Sequence, residues 1–444
     1  LYSISVPDEK HKYHVGELAK MFLPEDAFCI YVGQPDAELV IGAGGDYNDS
    51  KRRAYAFFRK ITGRELDWGI LTGVRPGKLY NELKAKGEDP EKVLKEQYFV
   101  SDEKIRLLRR VSECQQTVKR SPDPKAIGLY IGIPFCPTRC QYCSFTSNTI
   151  TKKGATAYLQ ALFTEMQAVR KLMDRNGQTA ESIYIGGGTP TSLDEEDLRS
   201  FLTKVRDLFV TENTVEFTVE GGRPETITED KLAIIKEAGA DRISINPQSM
   251  KQHTLDLIGR RHTPQQIREA FALADEAGIG IVNADLITGL PEEMPEDFRD
   301  SLTAVLALGP ENITVHTLAV KKASRMIEED PGVARRQAAN VRQMLEDADR
   351  MLTEAGYEPY YLYRQKHMAG NFENVGWCRP GTASLYNIRI MEEDQTIVAM
   401  GAGAISKVYF PAENRLERVP NVSNYEIYIE RIEEMIARKE AGIS

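Results

Sequence analysis

No stretch of this chain comes near the roughly 20 consecutive apolar residues of a membrane span, so no transmembrane helix is expected. Basic charge is not in excess either. The 57 Lys and Arg face 66 Asp and Glu, and a net charge of −9 argues against bulk binding to nucleic acid. Cysteine is scarce: six in 444 residues, three of them clustered, is no disulfide framework and reads as reduced, cytoplasmic usage. Cys29, Cys114 and Cys378 are expected to be plain thiols, buried or partly so. There is no low-complexity tract, and nothing suggests a targeting segment. The chain opens on Leu1 and not on Met, so residues are expected ahead of it.

What is present is an ordinary globular composition, 41% hydrophobic and 28% charged, in a chain long enough for two or three domains of about 150 residues. Residues 1–120 read as an N-terminal α+β domain. Phe28 to Val32 and Leu39 to Ile41 are β-prone runs around Gly33-Gln34-Pro35-Asp36, a hairpin-like signal. Tyr55, Phe58 and Ile61 share one face of a helix whose other face is basic, and 102–118 is a further helix. Between them, Leu71 to Leu79 is a Gly-rich turn with Arg75 and Lys78. It either holds an anion at a helix N-terminus or is a structural turn with Pro76 at a helix start. Ser121-Pro122-Asp123-Pro124 reads as a linker.

From residue 128 strand and helix patterns alternate. Strands are expected at 128–133, 182–186, 215–220, 242–246, 279–286 and 312–319. Helices are expected at 155–174, 193–209, 229–238, 250–276 (as one or two) and 295–308. Six βα units in a row predict a parallel sheet clad in helices, curled into a barrel or part of one. Active sites of such barrels lie at the C-terminal strand ends. A long helix at 325–356, β character over 357–407 and a helix around 422–439 complete the chain.

The chemistry-bearing residues fall at those strand ends. After the first strand come Cys136, Cys140 and Cys143 in a C-x3-C-x2-C run. Three thiolates on one loop can each take one iron of a [4Fe–4S] cube, leaving the fourth iron for a small chelating molecule. A half zinc site or three free thiols are the alternatives, and zinc would want a fourth ligand that does not follow closely. After the second strand, Gly186-Gly187-Gly188-Thr189 allows close backbone approach to a ligand. The third ends in Glu220, on the same face as Glu216 and Thr218. The fourth runs into Asn246 and Gln248, with Arg260 twelve residues later, and the fifth carries Asp285 among apolar residues.

With these motifs the chain resembles the oxygen-independent coproporphyrinogen III oxidase family of radical S-adenosylmethionine (SAM) proteins, and within it the HemZ-type branch. The likeness lies in Tyr130 to Cys136, the cysteine run, Gly186 to Thr191, Asp285 to Pro291 and Gly401 to Ser406. At branch level it lies in Leu71 to Leu79, Ile313 to Ala319 and Tyr360 to Trp377. The resemblance implies an α/β fold, a partial (β/α)6 radical SAM barrel over 125–320, with a C-terminal α+β extension over 321–444 covering the substrate side. It implies a [4Fe–4S] cluster on Cys136, Cys140 and Cys143. It implies SAM contacts from Tyr130, Tyr142, Gly187, Gly188, Thr189, Glu220, Gln248, Arg260, Asp285, Ala319 and Ile405.

The implied reaction is oxidative decarboxylation of coproporphyrinogen III propionates to vinyls in haem biosynthesis. The implied reductant is a partner such as flavodoxin or ferredoxin. Two positions depart from the family pattern: Phe145 replaces a fourth cysteine and Gly132 replaces a histidine. They leave open another radical SAM reaction on a tetrapyrrole, methyl transfer or ring opening, and a haem-binding chaperone. Arg223, Lys321, Lys322, Arg325 and Arg364 are candidates for holding propionates, and His316 and His367 for binding haem iron.

Overall fold

The computed structural model describes residues 1–42, 45–73, 75–119, 123–143, 148–149, 151–319, 326, 333–365 and 371–443. Its main feature is one eleven-stranded sheet. Six strands run parallel in chain order: β4 (Ala126–Ile133), β7 (Thr179–Gly187), β8 (Glu216–Glu220), β9 (Arg242–Ser244), β10 (Ile281–Thr288) and β11 (Asn312–Thr317). Ile127, Leu129, Ile131, Ile183 and Ile185 are fully buried, as expected of parallel strands covered by helices. The helices sit where the apolar periodicity placed them: α6 (Lys152–Asn176), α7 (Glu195–Phe209), α8 (Glu229–Glu237) and α11 (Pro295–Leu308). The fourth connection is indeed two helices, α9 (Gln252–Leu257) and α10 (Pro264–Glu276).

Both flanks of the six strands are extended by the C-terminal third of the chain. β13 (Glu373–Cys378) joins β11 antiparallel and pairs with β12 (Glu358–Arg364). β14 (Ile397–Met400) lies parallel to β4 and leads to β15 (Ile405–Phe410) and β16 (Arg415–Pro420). The ladder runs from β12 to β16, and no strand bond joins its ends among the described residues. Helix Leu385–Glu392 packs on β7 and β12, with Ser384 Oγ and the amides of Leu385 and Tyr386 donating to the buried Glu216 carboxylate.

The N-terminal residues divide between two cores. Ile4, Val6, Val15, Phe22, Tyr55, Phe58 and Ile70 form a small one. It lies between a three-stranded sheet and the helices α1 (Glu9–Phe22) and α2 (Tyr47–Thr62). Trp68, Leu71 and residues of α3 (Pro76–Ala85), α4 (Pro90–Tyr98) and α5 (Asp102–Val118) belong to the large core of the main sheet.

The hairpin expected at 28–41 is not formed. β2 (Phe28–Val32) and β3 (Leu39–Val40) each pair in parallel with β1 (Tyr2–Val6), which lies between them. Ile4 and Val6 need that central, covered place, and the turn after β2 is tied to β1 instead by Gly33 N–H to Val6 O at 3.0 Å. The long helix expected from 325 is Ala338–Glu354, preceded by the single turn Val333–Arg336. Between them Gln337 keeps right-handed helical backbone, its N–H bonded to Val333 O at 3.0 Å and its carbonyl to Val341 N–H at 2.8 Å, and residues 325 and 327–332 of the expected span lie outside the described residues.

Candidate functional site

The strand ends enclose a cavity of about 550 Å³, within the range of roughly 300–1,000 Å³ usual for small-molecule sites. Tyr130, Tyr142, Gly187, Gly188, Thr189, Glu220, Gln248, Arg260, Asp285 and Ala319 all line it, together with Cys136, Cys140 and Cys143. Ile405 does not. It opens β15 where that strand runs out alongside β16, and it is 47% exposed.

The cysteine loop is closed at its base by a short ladder, Phe135 opposite Asn148 and Cys136 opposite Thr149. Gln141 N–H bonds Ile258 O at 3.1 Å, and Gln141 O accepts from Met326 N–H at 3.1 Å. Gly188 has to be glycine. Its N–H bonds Ile133 O at 2.8 Å, and a Cβ there would run into the Phe135 carbonyl and lie 3.0 Å from Cys136 Sγ. Thr189 Oγ1 lies 3.4 Å from Cys136 Sγ, and the buried Arg223 donates to Cys140 Sγ at 3.1 Å and to Thr138 O at 2.7 Å. Arg223 thus places a positive charge against the cysteine loop, where an anionic cluster would sit. Among the described residues no three His, Cys, Asp or Glu converge on one metal ion. A cube, which takes each thiolate on a different iron, asks for wider spacing. The donor set, the glycine clearance and the cation all fit such a cluster.

The wall opposite is acidic and phenolic. Tyr184 donates to Glu220 Oε1 at 2.5 Å, and its ring lies between Tyr386 (centroids 4.5 Å apart) and Tyr130 (6.3 Å). Burial pushes the Glu220 carboxyl up to about 7, the Tyr184 hydrogen bond pulling it back and Asp285 adding to the rise. Asp285 goes the other way. Burial raises it, but His316, with hydrogen bonds from His316, Asn283 and Thr314, holds it below the usual carboxylate range. His316 Nε2 lies 3.5 Å from Asp285 Oδ2, and its Nδ1 is 3.4 Å from the Tyr363 hydroxyl.

Two further residues face the cavity with unusual backbone or bonding. Gln248 takes φ 67, in the left-handed region that non-glycine residues seldom adopt, held by its N–H to Asp285 O at 2.8 Å. Strain of this kind gathers at ligand sites. Arg260 donates to Gly222 O at 2.9 Å, Asn246 O at 3.2 Å and Tyr142 OH at 3.1 Å, yet keeps a buried Nε–H without a hydrogen-bond partner. An amino-acid carboxylate is a natural acceptor for such a group.

Some expectations are redirected. Arg364 is buried away from the cavity, under the Trp68 ring at 5.3 Å, donating to Leu71 O and Asn371 O. Arg223 lines the cavity, but its guanidinium is engaged by the cysteine loop. Lys321, Lys322, Arg325, His367 and Phe145 lie outside the described residues. Of the cavity tyrosines, Tyr184 and Tyr386 were not singled out from the sequence, and Tyr361 and Tyr363 were named only within the Tyr360 to Trp377 stretch, with no role. Period-two alternation was the available signal, since it places Tyr184 on the face of Gly186 and pairs Tyr361 with Tyr363.

The Radical SAM superfamily profile matches residues 130–305. Over 382 residues, 84% of this chain and 76% of the relative, the sequence is 42% identical to the oxygen-independent coproporphyrinogen-III oxidase-like protein HemZ of Bacillus subtilis (strain 168). It is 29% identical over 288 residues to the heme chaperone HemW of Escherichia coli (strain K12), covering 64% of this chain and 71% of that one. Among solved structures, the coproporphyrinogen III oxidase HemN of Escherichia coli superposes with a TM-score of 0.55 at 23% identity, over 72% of each chain. That last likeness is one of fold.

Proposed function

The chain belongs to the radical SAM superfamily and, within it, to the oxygen-independent coproporphyrinogen III oxidase family, on the HemZ side, and from that premise we propose that it removes hydrogen from the propionate side chains of a coproporphyrinogen III-like tetrapyrrole. The observation that carries the reading is the convergence of the three-cysteine loop, the glycine turn and the strand-end carboxylates Glu220 and Asp285 on one cavity. In this reading Cys136, Cys140 and Cys143 hold the [4Fe–4S] cluster. The backbone at Gly187 and Gly188, with Thr189, lies along SAM; Arg260 and Gln248 take its amino-acid end, and Glu220 and Asp285 its hydroxyl or amine hydrogens. Tyr130, Tyr142 and Ala319 complete the wall. When bound, the cluster and SAM supply a 5′-deoxyadenosyl radical.

The protein's part is placement and dryness. A primary radical reacts with whatever lies beside it, so the substrate carbon has to be held at near-contact distance. The stacked Tyr130, Tyr184 and Tyr386 would line an aromatic wall for that purpose. Loss of one hydrogen atom from the propionate β-carbon, followed by loss of carbon dioxide and one electron to a separate acceptor, leaves a vinyl group. A flavodoxin- or ferredoxin-type reductant would deliver the priming electron. Residues 321–444 would cover the substrate side, and the lack of any membrane-crossing helix among the described residues suits a cytoplasmic enzyme.

Haem carriage is the second reading, favoured by the likeness to HemW and by His316 in the cavity wall. Anaerobic turnover of a coproporphyrinogen labelled with deuterium on the propionate β-carbons separates the two. The expected result is substrate-stimulated release of deoxyadenosine carrying the label. Deoxyadenosine without label points to another radical reaction on the ring. Stoichiometric haem binding with no substrate-stimulated cleavage overturns the enzyme.

A further inference from the structure

Three cations converge on one carboxylate oxygen where α3 meets the β15–β16 hairpin. Glu393 Oε1 lies 2.9 Å from Arg75 Nη2, 3.2 Å from Arg418 Nη2 and 3.4 Å from Lys407 Nζ. Glu393 itself is nearly buried and sits in the left-handed region at φ 53, closing the helix Leu385–Glu392. One carboxylate balances one of the three. Glu392, hydrogen-bonded by the neutral Asn81 and Gln115, is a second carboxyl acting on Arg75, though burial raises it above the usual carboxylate range; Asp394 is paired with Lys119 and Arg389.

Two further observations show that the cluster is short of acceptors. Arg75 keeps a buried Nε–H without a hydrogen-bond partner. Arg75 is also the N-cap of α3, which has no side-chain cap, so the first amides of that helix add their positive end to the same region. Burial brings Lys407 down to about 8, with Arg75 and Arg418 pushing the same way against Glu393. A partly buried group of cations with too few acceptors is the electrostatic condition under which an oxyanion binds.

We propose that Arg75, Lys407 and Arg418 form an oxyanion-binding site for a carboxylate or phosphate group. Lys407 Nζ also donates to Ile390 O at 3.2 Å, and Ile390 and Met391 line the main cavity. The site therefore adjoins the proposed tetrapyrrole pocket, and a peripheral carboxylate of that substrate is one source of the oxyanion. A free phosphate-bearing molecule is the other. Only the first source rests on the proposed function.

Thermal stability of the full chain in inorganic phosphate, against chloride at matched ionic strength, tests the site itself. Phosphate should raise the melting temperature of the parent by several degrees beyond chloride, and Lys407→Met should lose that response. Arg418→Gln, at a side chain 54% exposed, repeats the test without risk to folding. Glu393→Gln removes the competing carboxylate and should enlarge the phosphate response. Binding of coproporphyrin III, with four carboxylates, against an alkyl porphyrin with none, identifies the source. A roughly tenfold weaker hold on the tetracarboxylate alone in Lys407→Met assigns the site to the substrate. A phosphate response with no porphyrin discrimination assigns it to a free phosphate, and this arm stands even if the chain binds no tetrapyrrole. Equal phosphate responses in parent and variants, with equal porphyrin binding, overturn the site.

Discussion

Trp68 donates its indole N–H to Glu373 at 2.7 Å, across 305 residues of chain. The other oxygen of the same carboxylate accepts from Lys104 at 2.8 Å, and both charged side chains are nearly buried. Lys104 is held charged: burial works against its proton, and Glu373 and Glu103 outweigh it. This triad fastens the segment from Trp68 to α5 onto β13, the neighbour of β11 and hence of the cavity wall.

Glu373→Gln should therefore destabilise the chain by about 3 kcal/mol, because it strands a buried ammonium with only the half-exposed Glu103 for partner. Chemical denaturation gives the number. A loss under about 1 kcal/mol would mean that water reaches Lys104 and that the triad does not hold the segment.

Each of Cys136→Ala, Cys140→Ala and Cys143→Ala should abolish SAM cleavage after anaerobic reconstitution. Full cleavage in any one of them would end the cluster assignment. Gly188→Ala tests the same loop without replacing a thiol. Its Cβ would press on the Phe135 carbonyl and Cys136 Sγ, so iron content should fall while all six cysteines still titrate after unfolding.

The regular part of this fold was legible because its signals are local. Helix α11 lies at Pro295–Leu308, where its apolar period put it, and alternation on β8 carries Glu216 to one end of the strand and Glu220 to the cavity. Glu220, Gln248 and Asp285 sit at, near or just past strand ends, where a polar residue after an apolar run is conspicuous, whereas Tyr130, Tyr142 and Ala319 were named only through the family resemblance. What escaped is non-local or looks like core. Glu373 gains its meaning from Trp68 and Lys104, more than 260 residues away. Tyr184 and Tyr386 are buried tyrosines like many others until their rings are seen 4.5 Å apart. Strand β1 alternates Ser3 and Ser5 with Ile4 and Val6, too short a pattern to outbid the turn residues that suggested a hairpin beyond it.

Glu220 should make stability depend on pH near neutrality. Its folded value of about 7 lies above the ordinary 4.5, so the folded chain keeps a proton that the unfolded chain has lost. Its contribution to stability is then present in full below about pH 4.5 and is lost as pH rises through 7. Glu293, pushed by burial to about 7 as well, gives a slope of the same sign. Glu220→Gln should flatten the slope and, at pH 8, be more stable than the parent by about 1–2 kcal/mol, discounted for contact with cavity water. SAM should bind it roughly tenfold more weakly, by titration calorimetry. An unchanged slope would show that Glu220 is ionised in the folded chain throughout.

The C-terminal segment, expected as one helix around 422–439 and found as two, Tyr425–Glu430 and Ile432–Gly442, should reach the cysteine loop through Glu165. This fully buried carboxylate accepts from Gly401 N–H at 2.8 Å, Asn421 Nδ2 at 2.8 Å, the Tyr428 hydroxyl at 2.5 Å and Lys439 Nζ at 2.6 Å. Gly401 opens the turn after β14, beside β4, where a Cβ would lie 2.5 Å from Gly132 O, and Tyr158 donates to that same carbonyl at 2.6 Å. Gly132 is four residues before Cys136. The two halves of the ion pair are not equivalent. Lys439→Met leaves Glu165 with three donors and should cost about 1–2 kcal/mol. Glu165→Ala leaves a buried ammonium held only by Asn421 Oδ1 at 2.6 Å, together with an uncapped amide at Gly401, and should cost about 3–5 kcal/mol. It should also lower iron incorporation, because the strand that presents Cys136 loses its lateral support. Equal destabilisation by the two variants, or Glu165→Ala with undiminished iron content, would show that the C-terminal helix is bound to the sheet without bearing on the loop.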